Sequence, residues 1–509
     1  MAKGNTGSEN RVLFSDTTLR DGAQSLWAMN MTYGKHDAVV EQLDKAGYDH
    51  IDLPVFSIYF KMVVRFFKED PWQIAHLFRD KIRKTPKQIA ILDRLNLVEN
   101  AEPRSVVRLF HELTARASGA SRFYFMANTR NELDRAFPWV VPMAREIGLE
   151  FQPWIAYYPS PRTTDEYYAN LTRRVMEYKP EALCLKDAGG LLTVERLKTL
   201  LPAIQAEAKG VPIDLHTHGM STNQGRVVVE AMKLGINCIH TCVPPLASGS
   251  SHVSIFNAMH NAKVLGLQHN ITDVEALKVA EERLTRIAKL EGLPIGVPLE
   301  YDHGVYSHQV PGGVISNLVS QLGQLGIAHK LDEVLHEVVR IIEDLGHPIM
   351  ITPSSQFIVS QAAVNVATGQ RYKEVLDCMI ETALGVWGWE DAGVPWMKPE
   401  VKDRFLSHPN AKNIAESYRR RQEIEAEEGS VSKLRASYGL TNASDEEFML
   451  YHIMRGDAEI KKIQPPKTYY TGKEPLTLLL KELSKHRDVS RLQLQKGDSF
   501  FDFKQTRSA

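Results

Sequence analysis

The chain has 509 residues, 43% of them hydrophobic and 24% charged, with 61 Lys and Arg against 62 Asp and Glu and a formal net charge of −1. This supplies apolar material for a large core and a second domain, and the balanced charge argues against a nucleic-acid or membrane-surface binder, since both need a basic excess. No apolar run reaches the ~18 residues of a membrane-spanning helix, and the polar segment Met1–Asn10 lacks the apolar stretch of a secretory signal, so a cytoplasmic protein is expected.

From Val12 onward, short apolar runs alternate with helical patterns. Val12–Ser15 reads as a strand, and His36–Ala46 as a helix with Val39, Val40 and Leu43 on its apolar side. His50–Leu53 is the next strand, followed by a helix through Met62, Val63, Phe66 and Phe67. Strands recur at Ile89–Leu92, Arg122–Phe125, Pro153–Tyr157, Ala182–Leu185, Ile213–Leu215 and Cys238–Thr241, each trailed by a helical stretch. Eight βα units in about 300 residues fit a (β/α)₈ TIM barrel better than an open sheet, and the glycine-rich dinucleotide turn of an open doubly wound fold is absent. Near Tyr301 the pattern turns mostly helical, with helices expected over Asp332–Leu345, Gln356–Ala367 and Asn413–Glu428. Arg491–Lys504, alternating around Lys496-Gly497-Asp498, reads as a β-hairpin. The expected organisation is a flexible N-terminus (1–11), a barrel (12–300), a helical domain (301–488) and a C-terminal hairpin (489–509). Cys184, Cys238, Cys242 and Cys378 form no CxxC pair and read as small core residues rather than as disulfides or metal ligands.

In such barrels the chemistry sits where strands end and βα loops begin. Strand 1 ends in Asp16-Thr17-Thr18-Leu19-Arg20-Asp21-Gly22-Ala23-Gln24, strand 6 in Lys186-Asp187, strand 7 in His216-Thr217-His218, and strand 8 leads to Ser248-Gly249-Ser250-Ser251-His252. His216 and His218 are two apart and share one face of an extended strand. With the carboxylate of Asp16 from another strand end they make a candidate metal site, against the plainer reading of two hydrogen-bonded structural histidines. An ammonium on Lys186 would be repelled by a nearby cation. Either it is salt-bridged elsewhere, or it carries CO₂ as a carbamate and ligates through oxygen. Arg20 can hold a carboxylate or a developing enolate, or it is tied to Asp21 or Asp187. Gln24 can add an amide donor.

With these motifs the sequence resembles the biotin-dependent carboxyltransferases: the carboxyltransferase domain of pyruvate carboxylase, the oxaloacetate decarboxylase alpha subunit and the keto-acid subunit of methylmalonyl-CoA transcarboxylase. The resemblance runs over roughly residues 12–460 and is carried by Asp16–Leu26, Arg65–Trp72, Leu185-Lys186-Asp187, Leu215–His218, His308–Gly313 and Thr352–Gln356. It implies a barrel followed by a helical funnel domain. It also implies a divalent metal (zinc, or manganese or cobalt) held by Asp16, N-carboxylated Lys186, His216 and His218, and biotin arriving as carboxybiotin on a separate carrier protein. The implied partners are that biotin carrier, a biotin carboxylase or another transcarboxylase subunit, and a second copy in a homodimer. The implied reaction moves a carboxyl group to a keto acid or ketone through an enolate held by Arg20, with a hydroxyl relaying the proton. Ser251 is the expected relay, with Ser250 beside it.

The departures fall mostly in the acceptor pocket. Strand 2 leads into the bulky Leu53–Phe60, strand 3 ends in Ile91-Leu92-Asp93-Arg94 where an arginine and a glycine are usual, and Phe125-Met126-Ala127-Asn128 lacks the usual Phe-Asp. A larger or less anionic acceptor than pyruvate is therefore expected, contacted by Gln24, Asp93, Arg94 and Ser250. The alternatives are a metal-dependent lyase or Claisen-type enzyme of the same barrel superfamily, which Lys186 argues against, and a non-catalytic carboxyltransferase-like subunit.

Overall fold

A computed structural model describes residues 10–93, 102–311, 314–315, 318–319, 322–323, 326–351, 353–426, 431–469, 479, 483, 485–486, 489–496 and 499–504. Arg94, Gly312, Gly313, Thr352, Gly497 and Asp498, all named above, lie outside them. Eight parallel strands close a barrel in chain order: β1 (Leu13–Asp16), β2 (Ile51–Asp52), β3 (Lys87–Ala90), β4 (Arg122–Ala127), β5 (Glu150–Ala156), β6 (Leu183–Asp187), β7 (Ile213–Thr217) and β8 (Cys238–Thr241). The expected TIM barrel is what forms. β1 pairs with β8 to close the ring, with Asp16 opposite Thr241. Lys186 and His216 are register partners on β6 and β7, so they point to the same side of the sheet.

The helices form where apolar periodicity places them. Leu331–Asp344 buries Val334, Val338, Ile341 and Ile342, and Ser354–Thr368 buries Ile358, Val359 and Ala362 against them. The described residues divide into two compact units between Lys467 and Thr468. In the first unit the helical segment is tied to the barrel by polar contacts. Arg162, in the loop after β5, donates to the carbonyls of Gly346 (2.6 Å) and His347 (3.2 Å) and lies 3.7 Å over the Trp396 ring. Lys68 pairs with Glu459 at 2.7 Å. The second unit contains the expected hairpin, β9 (Arg491–Lys496) antiparallel to β10 (Ser499–Lys504).

Two glycines let the barrel loops approach one another. A Cβ on Gly22 would lie 2.9 Å from Cys242 Sγ, and one on Gly219 would lie 2.3 Å from the Gly249 carbonyl oxygen. Gly219 also donates its N–H to the Ser251 carbonyl at 2.9 Å, which fixes the loop after β8 against the end of β7. Gly219→Ala is therefore expected to cost about 1–3 kcal/mol by overpacking. A chemical-denaturation midpoint equal to that of the parent would contradict this close approach.

Candidate active site

The site is built on loop 1, β6, β7 and the loop after β8. After β1 the chain makes a five-residue π-helical turn, Thr18–Gly22. Such wide turns are uncommon and concentrate at functional sites. Here the turn buries Arg20 and Asp21. Asp21 lies with His216, His218 and His252, all buried, their ligand atoms within 4.8 Å of one another. The three histidine Nε2 atoms converge on one carboxylate oxygen, Asp21 Oδ2, at 2.8, 3.4 and 3.6 Å respectively.

Asp16 is not part of this group, which corrects the expected ligand set. Its carboxylate accepts from the Thr18 hydroxyl (2.5 Å) and the Thr18 N–H (3.2 Å), and so stays turned into its own loop. Burial pushes its carboxyl up to about 7 against those hydrogen bonds. Asp21, five residues further along the π turn, takes its place beside the histidines.

The electrostatics favour neutral His216 and His252 beside a charged Asp21 carboxylate. Burial pushes His216 well below the usual imidazole range and His252 to about 3. Burial would raise Asp21, but Arg20 and then His218 beside it hold its carboxyl well below the usual range. His218 Nδ1 lies 2.8 Å from the Ser250 carbonyl, which can only accept. Nδ1 therefore carries a proton and donates it to that carbonyl, which leaves Nε2 as the ring nitrogen facing Asp21. His216 Nδ1 is backed by His240 at 3.0 Å, and His240 by Asp214 at 3.4 Å. Ring Nε2 atoms gathered on one carboxylate oxygen, backed by a second layer of hydrogen bonds, suit a divalent cation that would take the place of the ring protons.

Arg20 is tied as the plainer reading has it, to Asp21 through Nη1 (2.6 Å), and through Nε to Asp52 (2.7 Å) rather than to Asp187. Burial works against its charge, but Asp21 and Asp52 more than offset that and raise its pKa. Its buried Nη2 has no hydrogen-bond partner. The guanidinium stacks 5.0 Å from the Trp154 ring and 5.5 Å from Tyr124, and these two rings are themselves stacked at 3.8 Å. Lys186, partly exposed, places Nζ 4.8 Å from the centre of the same Trp154 ring. Burial and the nearby Arg20 cation push its amine down to about 8. Asp187 is occupied elsewhere, accepting from the N–H groups of Leu191 and Leu192 and from the Thr217 hydroxyl.

Other expected contacts fall differently. Ser251 Oγ donates to the Leu246 carbonyl at 2.6 Å, and Ser250 Oγ to the Ser25 carbonyl at 3.0 Å. Both hydroxyls hold loops together in this arrangement. Asp93 is ion-paired with Arg135. Gln24 is exposed and, with Arg20, lines a small cavity walled by Leu19, Met31, Val55 and Tyr59. The residues the sequence reading missed are Asp21 and His252 as members of the cluster, Asp52 as the second anchor of Arg20, and Trp154 as the platform. Asp21 and His252 stood inside quoted motifs, whereas Asp52 and Trp154 carried no local signal.

Residues 11–282 match the family model described as HMGL-like, and residues 305–465 the one described as a conserved carboxylase domain. The chain is 30% identical over 404 residues to a pyruvate carboxylase subunit of Methanocaldococcus jannaschii, an alignment covering 78% of this chain and 68% of that protein. It is 28% identical over 390 residues to the 2-oxoglutarate carboxylase large subunit of Hydrogenobacter thermophilus, covering 75% and 58%. It is 26% identical over 384 residues to the methylmalonyl-CoA carboxyltransferase 5S subunit of Propionibacterium freudenreichii subsp. shermanii, covering 74% of each. The carboxyl transferase domain of Rhizobium etli pyruvate carboxylase has the same fold, with a TM-score of 0.77 at 21% identity, over 89% of this chain and 77% of that one.

Proposed function

The chain belongs to the biotin-dependent carboxyltransferase family, HMGL-like barrels joined to a conserved carboxylase domain, and from that premise we propose that it moves a carboxyl group between carboxybiotin and a keto-acid or ketone acceptor. The observation that carries this reading is the cluster of Asp21 with His216, His218 and His252, joined through His216 to the Trp154 ring that Arg20 and Lys186 also face. The match to the carboxylase domain over residues 305–465 turns the reading away from a lyase or Claisen-type enzyme.

In the proposed reaction the N–C bond of carboxybiotin breaks and releases CO₂. The acceptor loses a proton from the carbon beside its carbonyl, and the resulting enolate forms a new C–C bond to CO₂. The proton ends on the biotin ureido nitrogen. Arg20 holds the enolate oxygen through Nη2, the one guanidinium nitrogen that neither Asp21 nor Asp52 uses. It is oriented before the acceptor arrives, because two carboxylates and two aromatic rings fix it. A divalent cation, zinc or alternatively manganese or cobalt, would be held by Asp21, His216 and His218 and would polarise the acceptor oxygen as a Lewis acid. Lys186, with its amine near 8, is partly neutral at physiological pH and can add CO₂ at Nζ, losing one N–H proton to solvent and giving a carbamate oxygen on the side of the sheet that carries His216. The carrier is a separate biotinylated chain, served by a biotin carboxylase or a second transcarboxylase subunit. The barrel works as a homodimer in the cytoplasm. Among the described residues, no helix is long and apolar enough to cross a membrane.

An acceptor other than pyruvate is expected, because Arg20 keeps one unused nitrogen rather than a fork for a carboxylate and the small cavity beside it is lined mostly by apolar side chains. In a side-by-side panel with labelled carboxybiotin, a bulkier keto acid or a ketone is expected to exceed pyruvate in kcat/KM by about tenfold or more. Pyruvate or oxaloacetate as the best substrate would contradict this specificity.

A further inference from the structure

The loop after β8 returns a third histidine to the cluster, and the motif reading gave it no role. Ser248 and Gly249 take φ angles of 69° and 61° in succession. This reverses the chain, so that the Ser248 N–H donates to the His252 carbonyl at 2.8 Å. His252 is thereby brought back beside His216 and His218, with ring centres 4.2 and 4.3 Å away. It is fully buried, and neither of its ring nitrogens has a hydrogen-bond partner. A buried imidazole with both nitrogens unsatisfied is costly and needs a reason. Asp21 Oδ2 is 3.6 Å from Nε2, too far for a good hydrogen bond and well placed for two ligands of one ion.

We propose that His252 is a metal ligand, so that Asp21, His216, His218 and His252 hold the cation as four protein side chains and the carbamate on Lys186 is not needed to retain it. Three imidazoles and one carboxylate make a complete tetrahedral donor set for zinc. The carbamate then serves turnover as an added, CO₂-dependent oxygen rather than holding the site together. This rests on reading the cluster as a metal centre and not on the identity of the acceptor.

The test is zinc content and affinity of the full chain, with Co²⁺ substitution as a visible probe of ligand number. Wild type is expected to keep one zinc per chain after exhaustive dialysis in CO₂-free buffer, with the Co²⁺ spectrum unchanged when bicarbonate is returned. Lys186→Met is expected to keep its zinc, whereas His252→Ala weakens zinc binding by at least about 100-fold and His252→Cys restores it. The wild-type dialysis needs no substitution, so it decides the matter even if His252→Ala fails to fold. Release of zinc from wild type on CO₂ removal, loss of zinc from Lys186→Met, or undiminished affinity in folded His252→Ala would overturn the proposal. A chain that binds no metal in any buffer would also overturn it, and biotin-dependent carboxyl transfer, measured separately, would then decide whether the reaction class survives.

Discussion

Asp21→Asn is expected to lower carboxyl transfer by at least about 10³-fold, or roughly 4 kcal/mol of transition-state stabilisation, and to empty the metal site, while Asp16→Asn keeps its metal. The contrast follows from geometry. Asp21 Oδ2 is the point on which three histidine Nε2 atoms and Arg20 Nη1 converge. Removing its charge also leaves the buried Arg20 with Asp52 as its remaining partner, and breaking a buried pair costs about 3–5 kcal/mol. Metal per folded chain is therefore measured beside activity, so that loss of fold is not read as loss of a ligand. Asp16 is hydrogen-bonded within its own loop to Thr18, and burial pushes its carboxyl up to about 7. Retention of metal by Asp21→Asn together with its loss from Asp16→Asn would reverse the assignment.

Lys186→Ala is expected to lower biotin-dependent turnover by about 10³-fold or more, with the fold intact. The side chain makes no hydrogen bond among the described residues, and its amine rests over Trp154. Its deletion therefore removes chemistry rather than support. The pH dependence has a definite sign. The neutral amine is the form that adds CO₂, and its fraction rises with pH through the amine pKa of about 8, where it reaches one half. At fixed dissolved CO₂, turnover of the wild type should climb from pH 6 and begin to level off only above about pH 9, by about tenfold per unit or more at the low end. A rate that is flat or falling across that window would contradict a carbamate on Lys186.

The barrel was legible because a parallel sheet covered on both faces leaves apolar runs at regular spacing. All eight expected strands overlap the observed ones, and the helices expected over Asp332–Leu345 and Gln356–Ala367 are Leu331–Asp344 and Ser354–Thr368. Boundaries moved where composition is ambiguous. β5 begins at Glu150 rather than Pro153, since parallel pairing with Arg122 on β4 extends the strand through a polar residue. His216 and His218 were readable from their spacing alone. Asp21 was not, because choosing between two aspartates five apart requires knowing that the intervening turn is π-helical. His252 was hidden for a related reason: two consecutive left-handed residues bring it back, and only one of them is a glycine. The same chain reversal sets the Ser251 hydroxyl against the Leu246 carbonyl, a contact that the motif alone does not reveal. Of the partners of Arg20, Asp21 was legible by adjacency, whereas Asp52 is brought to it only by the pairing of β1 with β2.

The most direct test of the central claim is decarboxylation of carboxylated keto acids with and without free biotin, in wild type and in Lys186→Ala. The account predicts CO₂ release that depends on biotin in the wild type and falls to background in the variant. Biotin-independent cleavage, or equal rates in the two proteins, would contradict carboxyl transfer at this site.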